Sequence, residues 1–273
     1  MRGRSALRAG AALLLLLALA CLAAPGSLDP LAIDTARILE PPGPGHPLGT
    51  DGLGRDVLAR LLHGGRRSLL AGAVATAVAL LVGGLLGGLA GTLPGWPDRV
   101  LSRLAEIVYA FPALVAAMAI LGLARPGGGT IGGAAIGLLV GLLAWPALFR
   151  YVRAEARRLR EGDRLAAARA AGAGPLRTLL LHVLPSAILP ALVPAAFLAA
   201  GAILVEAGLG FLGLGIHPPH PSWGGLLREA MEHVETAWWL VLFPGAALFL
   251  VVLGCHLVGE GLRARIGGED IRA

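Results

Sequence analysis

Residues 150–185 read RYVRAEARRLREGDRLAAARAAGAGPLRTLLLHVLP, and the interpretation of this chain starts from them. The block is charged, forms helices readily, holds eight of the 23 arginines, and lies between long apolar segments. We expect helices over Arg153–Arg160 and Asp163–Ala171. The second should stop at Gly172, and Pro175 should open another. Short helices on one membrane face suit a groove on a soluble partner, whereas the alternative is a charged topological anchor without a partner.

The composition is typical of a membrane protein. The chain has 273 residues, 56% of them hydrophobic, and a mean hydropathy of +0.75, which is too apolar for a soluble domain. A membrane-spanning helix needs about 20 mostly apolar residues. We therefore predict an all-α polytopic membrane protein with six transmembrane helices. The six segments are Leu7–Ala24, Leu69–Leu93, Leu101–Leu123, Ile131–Phe149, Ala187–Leu214 and Trp238–Val258.

The basic charge is all arginine, because the sequence contains no lysine. A phosphate-binding loop of the G-x4-GK-[ST] type is therefore excluded, and any ATP use of that type belongs to another chain. The net charge of +6 is interpreted as membrane topology rather than nucleic-acid binding. Placing both termini in the cytoplasm puts 16 arginines there and 7 outside. Arg66 and Arg67 then lie on the outer side, where we expect them to cap a helix end.

The chain divides into four parts by composition. We predict an amino-terminal transmembrane helix over residues 1–24 and an extracytoplasmic segment over 25–68. A five-helix core over 69–261 holds the 150–185 loop, and a cytoplasmic tail covers 262–273. The run that ends LALAC at Cys21 resembles a signal peptide, but we expect an uncleaved span because five more spans follow.

A turn-rich motif, GTDGLGRD at residues 49–56, precedes the second span. Asp51, Arg55 and Asp56 are predicted to form a salt-bridged turn, with Gly54 as a turn former. Such a turn either supports a gate, receives a docking protein, or is a self-contained cap. A short interfacial helix is expected over Val57–Leu62, with Asp56 favouring its dipole.

Glycines four residues apart mark the second span, in the run from Gly83 to Gly91. Small residues at this spacing let helices approach closely. We expect the glycines to pack within one bundle, and a dimer seam is the alternative.

Glu206 is the ionisable residue of the fifth span, where a charge costs about 2.5–3.5 kcal/mol on insertion scales. It is a candidate to line a path through the membrane or to contact the amino end of a substrate, and a bond to a neighbouring helix is the alternative. Ser222, Trp223 and Gly224 are expected to start a short outer helix with its tryptophan at the interface. His217 and His220 lack a third ligand, so no metal site is predicted. The motifs of hydrolases are absent, so no catalytic residue is predicted.

Several segments together resemble the permeases of ATP-driven (ABC) importers, in the C-type subunit of the peptide/nickel branch. Ala166-Ala167-Ala168, Gly172 and Leu184-Pro185 follow the spacing of that family's signature loop. GTDGLGRDV, AFPAL and EAGLGFLGLGIHPPHPSWGGLL extend the resemblance from about Leu28 onward. The signature departs in two places, because Ala166 replaces an acidic residue and His182 an aliphatic one. Glu161 or Asp163 is then the nearest carboxylate that can replace the missing one.

The resemblance implies an importer-permease fold in which residues 166–185 form a cytoplasmic coupling helix. It also implies a homologous second permease, two ATP-binding subunits and an extracytoplasmic substrate-binding protein as partners, with this chain in the cytoplasmic membrane. This chain would bind no cofactor itself, and ATP and Mg would be used by the ATPase subunits. The implied cargo is a di- or oligopeptide, with nickel or another peptide-like solute as alternatives. A secondary transporter is a weaker alternative, because ion coupling would need ionisable pairs in the spans and Glu206 is the chief ionisable residue found there.

Overall fold

The computed structural model describes residues 2–23, 28–124, 132–162, 172, 174–217 and 219–269. This part of the chain is helical, and its sole β pairing is an isolated bridge between Thr50 and Asp56. The α-helices are α1 (Arg2–Leu22), α2 (Val57–Thr92), α3 (Trp96–Ala110), α4 (Ala113–Ala124), α5 (Gly133–Arg160), α6 (Pro175–Thr178), α7 (Leu184–Phe211), α8 (Trp223–Ala230) and α9 (Trp239–Glu269). A π-helical turn, Leu179–Val183, joins α6 to α7, and short 3-10 turns cover Thr35–Arg37 and Met231–His233.

Five described helices are long and apolar enough to cross a membrane, and α3 with α4 would make a sixth crossing. Five of the six predicted spans are confirmed in place, and the sixth corresponds to the bent pair of α3 and α4. The predicted third span, Leu101–Leu123, is bent by 83° between α3 and α4. Phe111 at the break is extended, as expected for a residue that precedes a proline, here Pro112.

Helix α2 is longer than predicted. The expected interfacial helix Val57–Leu62 and the second span are one helix of 36 residues, and the division at residue 68 falls inside it. Asp56 is its N-cap and accepts a hydrogen bond from Ala59 N at 2.8 Å, as the dipole argument anticipated. Gly64 and Gly65 do not break the helix, because both lie against the segment that carries Ser222 and Trp223.

Helix α5 also continues beyond its predicted end. The helix expected over Arg153–Arg160 is the last two turns of α5 rather than a separate piece. Gly172 has a φ of +82°, which suits glycine, and Pro175 opens α6 as predicted. Asp163–Ala171 lies outside the described residues.

The two long helices α2 and α5 pack closely through glycines on both. A Cβ at Gly83 or Gly87 would lie 2.6 Å from a carbonyl oxygen of α5, and one at Gly141 would lie 2.6 Å from a carbonyl of α2. Packing within one bundle is therefore confirmed for this ridge. Gly84 on the neighbouring ridge has nothing within 4 Å of its Cβ position.

Helix α1 packs along α9, with Gly10 against Gly254. Arg66 donates to the carbonyl oxygens of Cys21 at 2.6 Å and Leu22 at 3.0 Å, which confirms that it caps a helix end. Ser222 caps α8 as predicted, but Trp223 is not interfacial. It is 1% exposed and donates from Nε1 to Leu61 O at 3.0 Å, because α8 lies over the start of α2.

The antiparallel spans give the bundle two ends. We call the end that carries residues 28–56 and α8 the motif face. The end where α5 stops and α6 begins is the loop face.

Candidate functional site

The signature segment on the loop face is only partly described. Ala166, Ala167 and Ala168 lie outside the described residues, whereas Gly172, Leu184 and Pro185 lie inside. Leu184 is 7% exposed and belongs to a cluster with Leu179, Val183 and Ala156, against which Leu89 packs. The downstream end of the segment is thus seated on α2 and α5.

Two residues at the downstream end of the segment are exposed. Pro185 is exposed at the start of α7. His182 is exposed as well, so its imidazole replaces an aliphatic side chain without being buried. The coupling role of these residues stays a prediction.

An ion cluster ties α3 to α5 on the same face. The Asp98 carboxylate accepts hydrogen bonds from both Arg153, with a 3.0 Å contact from Nη2, and Arg157. Both arginines belong to the helix predicted over Arg153–Arg160, and they share one acidic partner. The partner is Asp98, which sequence reasoning missed because a single acid in a turn carries no distinctive pattern.

The motif face carries the predicted salt-bridged turn. Arg55 Nε donates to Asp51 Oδ2 at 2.8 Å, and Asp51 Oδ1 accepts from the backbone of Leu53 and Arg55. Gly54 has a φ of +75°, and a Cβ there would collide with the carbonyl of Asp34. Asp56 does not join this pair; it caps α2 and contacts His46 Nδ1 at 2.7 Å.

Two further charges complete the cluster. Arg60 on α2 binds both Asp51 and Glu229, with a 2.9 Å bond to Glu229 Oε1, and Arg55 Nη2 reaches Glu229 Oε2 at 2.8 Å. Arg60 is 2% exposed and Asp51 4%. Sequence reasoning missed Arg60 and Glu229, although an arginine inside the apolar run VLARLL was a usable signal.

The cluster determines the ionisation of Asp51. Burial alone would raise the pKa of its carboxyl. The Arg60 guanidinium and the backbone N–H groups of Leu53 and Arg55 outweigh burial and hold the pKa below its ordinary value. Removing one partner of such a buried pair costs about 3–5 kcal/mol, because the other charge stays buried.

An apolar cavity of about 570 Å³ opens between the α3–α4 break, α5 and α7. Its lining includes Tyr109, Phe111, Pro112, Phe197 and Gly201, and none of the described lining residues is charged. At its edge the Arg150 guanidinium lies 3.7 Å from the centre of the Tyr109 ring. The cavity can therefore accept the uncharged or partly polar surface of a solute. Its described lining holds no charged side chain that would form an ion pair with that solute.

Glu206 lies elsewhere on α7. It is 1% exposed and does not line the apolar cavity. The Ser68 hydroxyl faces it from α2 and accepts a bond from Trp223 N at 3.3 Å. The proposed role of Glu206 in a path through the membrane stays a prediction.

Known sequences resemble this chain over most of its length. The family described as "Binding-protein-dependent transport system inner membrane component" matches residues 83–267. The chain is 44% identical to the dipeptide transport system permease DppC of Escherichia coli K12 over 218 residues, which covers 80% of this chain and 71% of that protein. It is 38% identical to a putative peptide transport system permease of Brucella suis, covering 96% of this chain and 87% of the relative.

A solved structure shares the fold. A chain of the MetNI methionine ABC transporter, in inward-facing conformations, superposes with a TM-score of 0.57 at 22% identity, covering 78% of this chain and 94% of that one. At this identity the likeness concerns the fold, and it agrees with the arrangement of long spans described above. From the family match and the relatives together, the chain belongs to the inner membrane components of binding-protein-dependent transport systems, and is a multi-pass permease of the inner membrane.

Proposed function

We propose that this permease imports di- or oligopeptides, with ATP hydrolysed by separate subunits. The relatives are described as dipeptide or peptide permeases, which supports this cargo. A lysine-free chain offers no P-loop of the G-x4-GK-[ST] type, so hydrolysis is assigned to two partner ATPases that use ATP and Mg. A homologous second permease and an extracytoplasmic binding protein complete the assembly, and the motif face is extracytoplasmic.

The observation that carries the proposal is the apolar cavity between α3, α5 and α7. Peptides differ in their side chains, and an uncharged lining accepts such variation better than a fixed ion pair does. Nickel is bound by nitrogen, oxygen or sulfur ligands. The described lining of the cavity contains no carboxylate, imidazole or thiol group. A peptide is therefore the better cargo for this half of the path.

The loop face supports energy coupling to the ATPases. Leu184 is held between the ends of α2 and α5, so a push on the coupling helix reaches two spans at once. Closely packed helices of this kind change arrangement as bodies rather than deform continuously. Residues 166–185 therefore act as the ATPase-docking element in this proposal.

The test is reconstitution. The tagged chain is purified from native membranes in mild detergent, and the co-purifying permease, ATPases and binding protein are identified and placed in liposomes. We expect labelled dipeptide uptake that requires ATP and is blocked by vanadate. Uptake that proceeds without ATP and collapses with a protonophore would instead establish a secondary transporter. Uptake of Ni²⁺ but not of dipeptide would overturn the cargo assignment.

A further inference from the structure

Arg150 lies at the end of the apolar cavity that is nearer the loop face. Leu143, Ala144 and Ala147 of α5 line this cavity, and Arg150 follows Ala147 by one helical turn. Residues three and four apart share one side of a helix, so the Arg150 side chain begins on the cavity side of α5. Its guanidinium lies 3.7 Å from the centre of the Tyr109 ring, which is itself part of the cavity lining.

The guanidinium of Arg150 has donors to spare. The structure gives it no ion pair or hydrogen bond with another described residue, and the side chain is exposed. Two other arginines of α5, Arg153 and Arg157, are both held by Asp98. The Tyr109 ring attracts the cation but supplies no carboxylate or carbonyl oxygen. The ring therefore holds the charge beside the cavity while its N–H groups stay available to an anion.

The combination of an uncharged lining and a cation at one end matches the chemistry of a peptide. Linear peptides differ in their side chains but share a free terminal carboxylate. An arginine presents a planar fork of N–H donors that fits the two oxygens of such a group. The volume of about 570 Å³ lies within the range of about 300–1,000 Å³ that is usual for small-molecule sites.

We propose that Arg150 binds the C-terminal carboxylate of the peptide cargo at the loop-face end of the apolar cavity. The variable side chains of the cargo then contact the uncharged lining, and the constant group contacts the cation. Because the loop face is cytoplasmic in the proposed topology, the cargo lies with its carboxylate toward the cytoplasm. The inference rests on the proposed function and adds to it the residue that recognises the cargo.

The first test is chemical protection of Arg150 in the purified transporter complex, without the binding protein. Phenylglyoxal modifies accessible arginines, and mass spectrometry measures the rate at Arg150 with alanyl-alanine, with its C-terminal amide, and with no peptide. We expect the free acid at saturation to slow modification at least about threefold and the amide to leave it unchanged. Arg103 is the control, because its side chain is 82% exposed and does not line the cavity.

The second test is uptake by the reconstituted transporter with saturating loaded binding protein. Arg150→Gln should lower alanyl-alanine uptake per hydrolysed ATP about tenfold, as expected for the loss of one hydrogen bond to a charged group. Arg150→Lys keeps the charge but not the fork, so we expect it to restore part of the loss. The matched control Arg103→Gln removes an exposed arginine outside the cavity and should stay within about twofold of the wild type.

The outcomes separate this inference from the proposed function. Equal protection by the acid and the amide, or protection by neither, overturns the carboxylate site alone. Uptake by Arg150→Gln that equals the wild type overturns it as well. Protection in phosphatidylglycerol nanodiscs without peptide, but not in phosphatidylcholine nanodiscs, would assign Arg150 to lipid phosphate instead. If the wild type takes up no dipeptide with ATP, the proposed function fails too.

Discussion

Asp51 is the charged residue of the motif face that accepts the most hydrogen bonds among the described residues. It accepts hydrogen bonds from the backbone and from the guanidinium groups of Arg55 and Arg60, and it is almost fully buried. Because its pKa is lowered on folding, its stabilisation is complete above the unfolded-state pKa of about 3.9. The stabilisation is lost as the pH falls through the lower folded-state value.

Replacing Asp51 should therefore destabilise the protein in a pH-dependent way. We expect Asp51→Asn to lower the free energy of unfolding near pH 7 by about 3 kcal/mol, because Arg60 keeps only Glu229 as a partner. The deficit should shrink as the pH is lowered below about 4, where the wild type loses its own carboxylate. Thermal unfolding in detergent across this pH range checks both points, with exposed Glu40→Gln as the control. A pH-independent deficit would contradict the ionised role of Asp51.

Replacing Glu206, in contrast to Asp51, should have little effect. Its carboxyl lies away from the apolar cavity, beside the Ser68 hydroxyl, and the amide in Glu206→Gln replaces it at nearly equal volume. We expect half-saturation of dipeptide uptake to stay within about twofold of the wild type, since no cargo contact is removed. A larger shift for peptides with a free amino group, but not for amino-blocked ones, would place Glu206 in the path.

Single residues show what the sequence could reveal at this scale. Asp51 and Arg55 lie four positions apart in a turn motif, so their pairing was predictable from local geometry. Glu229 is 169 positions from Arg60, and only the folding of α8 over the start of α2 brings the two together. Long-range partners of this kind leave no periodic signal in one sequence.

At the scale of helices, the contact of α2 with α5 depends on which ridge carries each glycine. A Cβ at Gly87 would lie 2.6 Å from Phe149 O, whereas one at Gly84 would meet nothing within 4 Å. The same substitution should therefore have opposite effects on the two ridges.

We expect Gly87→Ala to lower the free energy of unfolding by about 1–3 kcal/mol, because the added methyl forces the helices apart. Gly84→Ala should be neutral or stabilising by up to about 1 kcal/mol, because alanine favours the helix. Thermal unfolding of both variants in the same detergent measures the two effects. Equal destabilisation would contradict the α2–α5 contact described here.

Helix locations were predictable because long apolar runs identify spans, and the structure confirms five of the six in place, with the bent α3–α4 pair at the position of the other. Their ends were not predictable to the same degree. The sequence ended the fourth span at Phe149, where polarity rises, but α5 continues to Arg160 because Asp98 holds Arg153 and Arg157. Hydropathy identifies the part of a helix that lies in the membrane, whereas the full length of the helix also depends on polar partners outside the membrane.

At the scale of the whole molecule, the prediction concerns coupling between ATP hydrolysis and transport. Gly172 has a positive φ, and Gly174 in the same loop does not. Gly172→Ala should introduce about 1–2 kcal/mol of backbone strain at this position of the loop. We expect weaker stimulation of hydrolysis by the loaded binding protein, with normal membrane insertion.

Gly174→Ala is the matched control, because its Cβ position is equally open. It should behave as the wild type in the same assay. Undiminished stimulation in Gly172→Ala would count against the coupling role of this loop.

The continuity of α2 has a mechanical consequence. Its 36 residues span about 54 Å and contain no proline, whereas α5, α7 and α9 each contain at least one. One end holds Arg60 in the ion cluster, and the other carries Gly88 against Leu179 and Leu184. A rod of this length that tilts by about 5° moves its far end by about 5 Å. A continuous α2 would therefore carry a small tilt on one side of the membrane to the contacts at its other end.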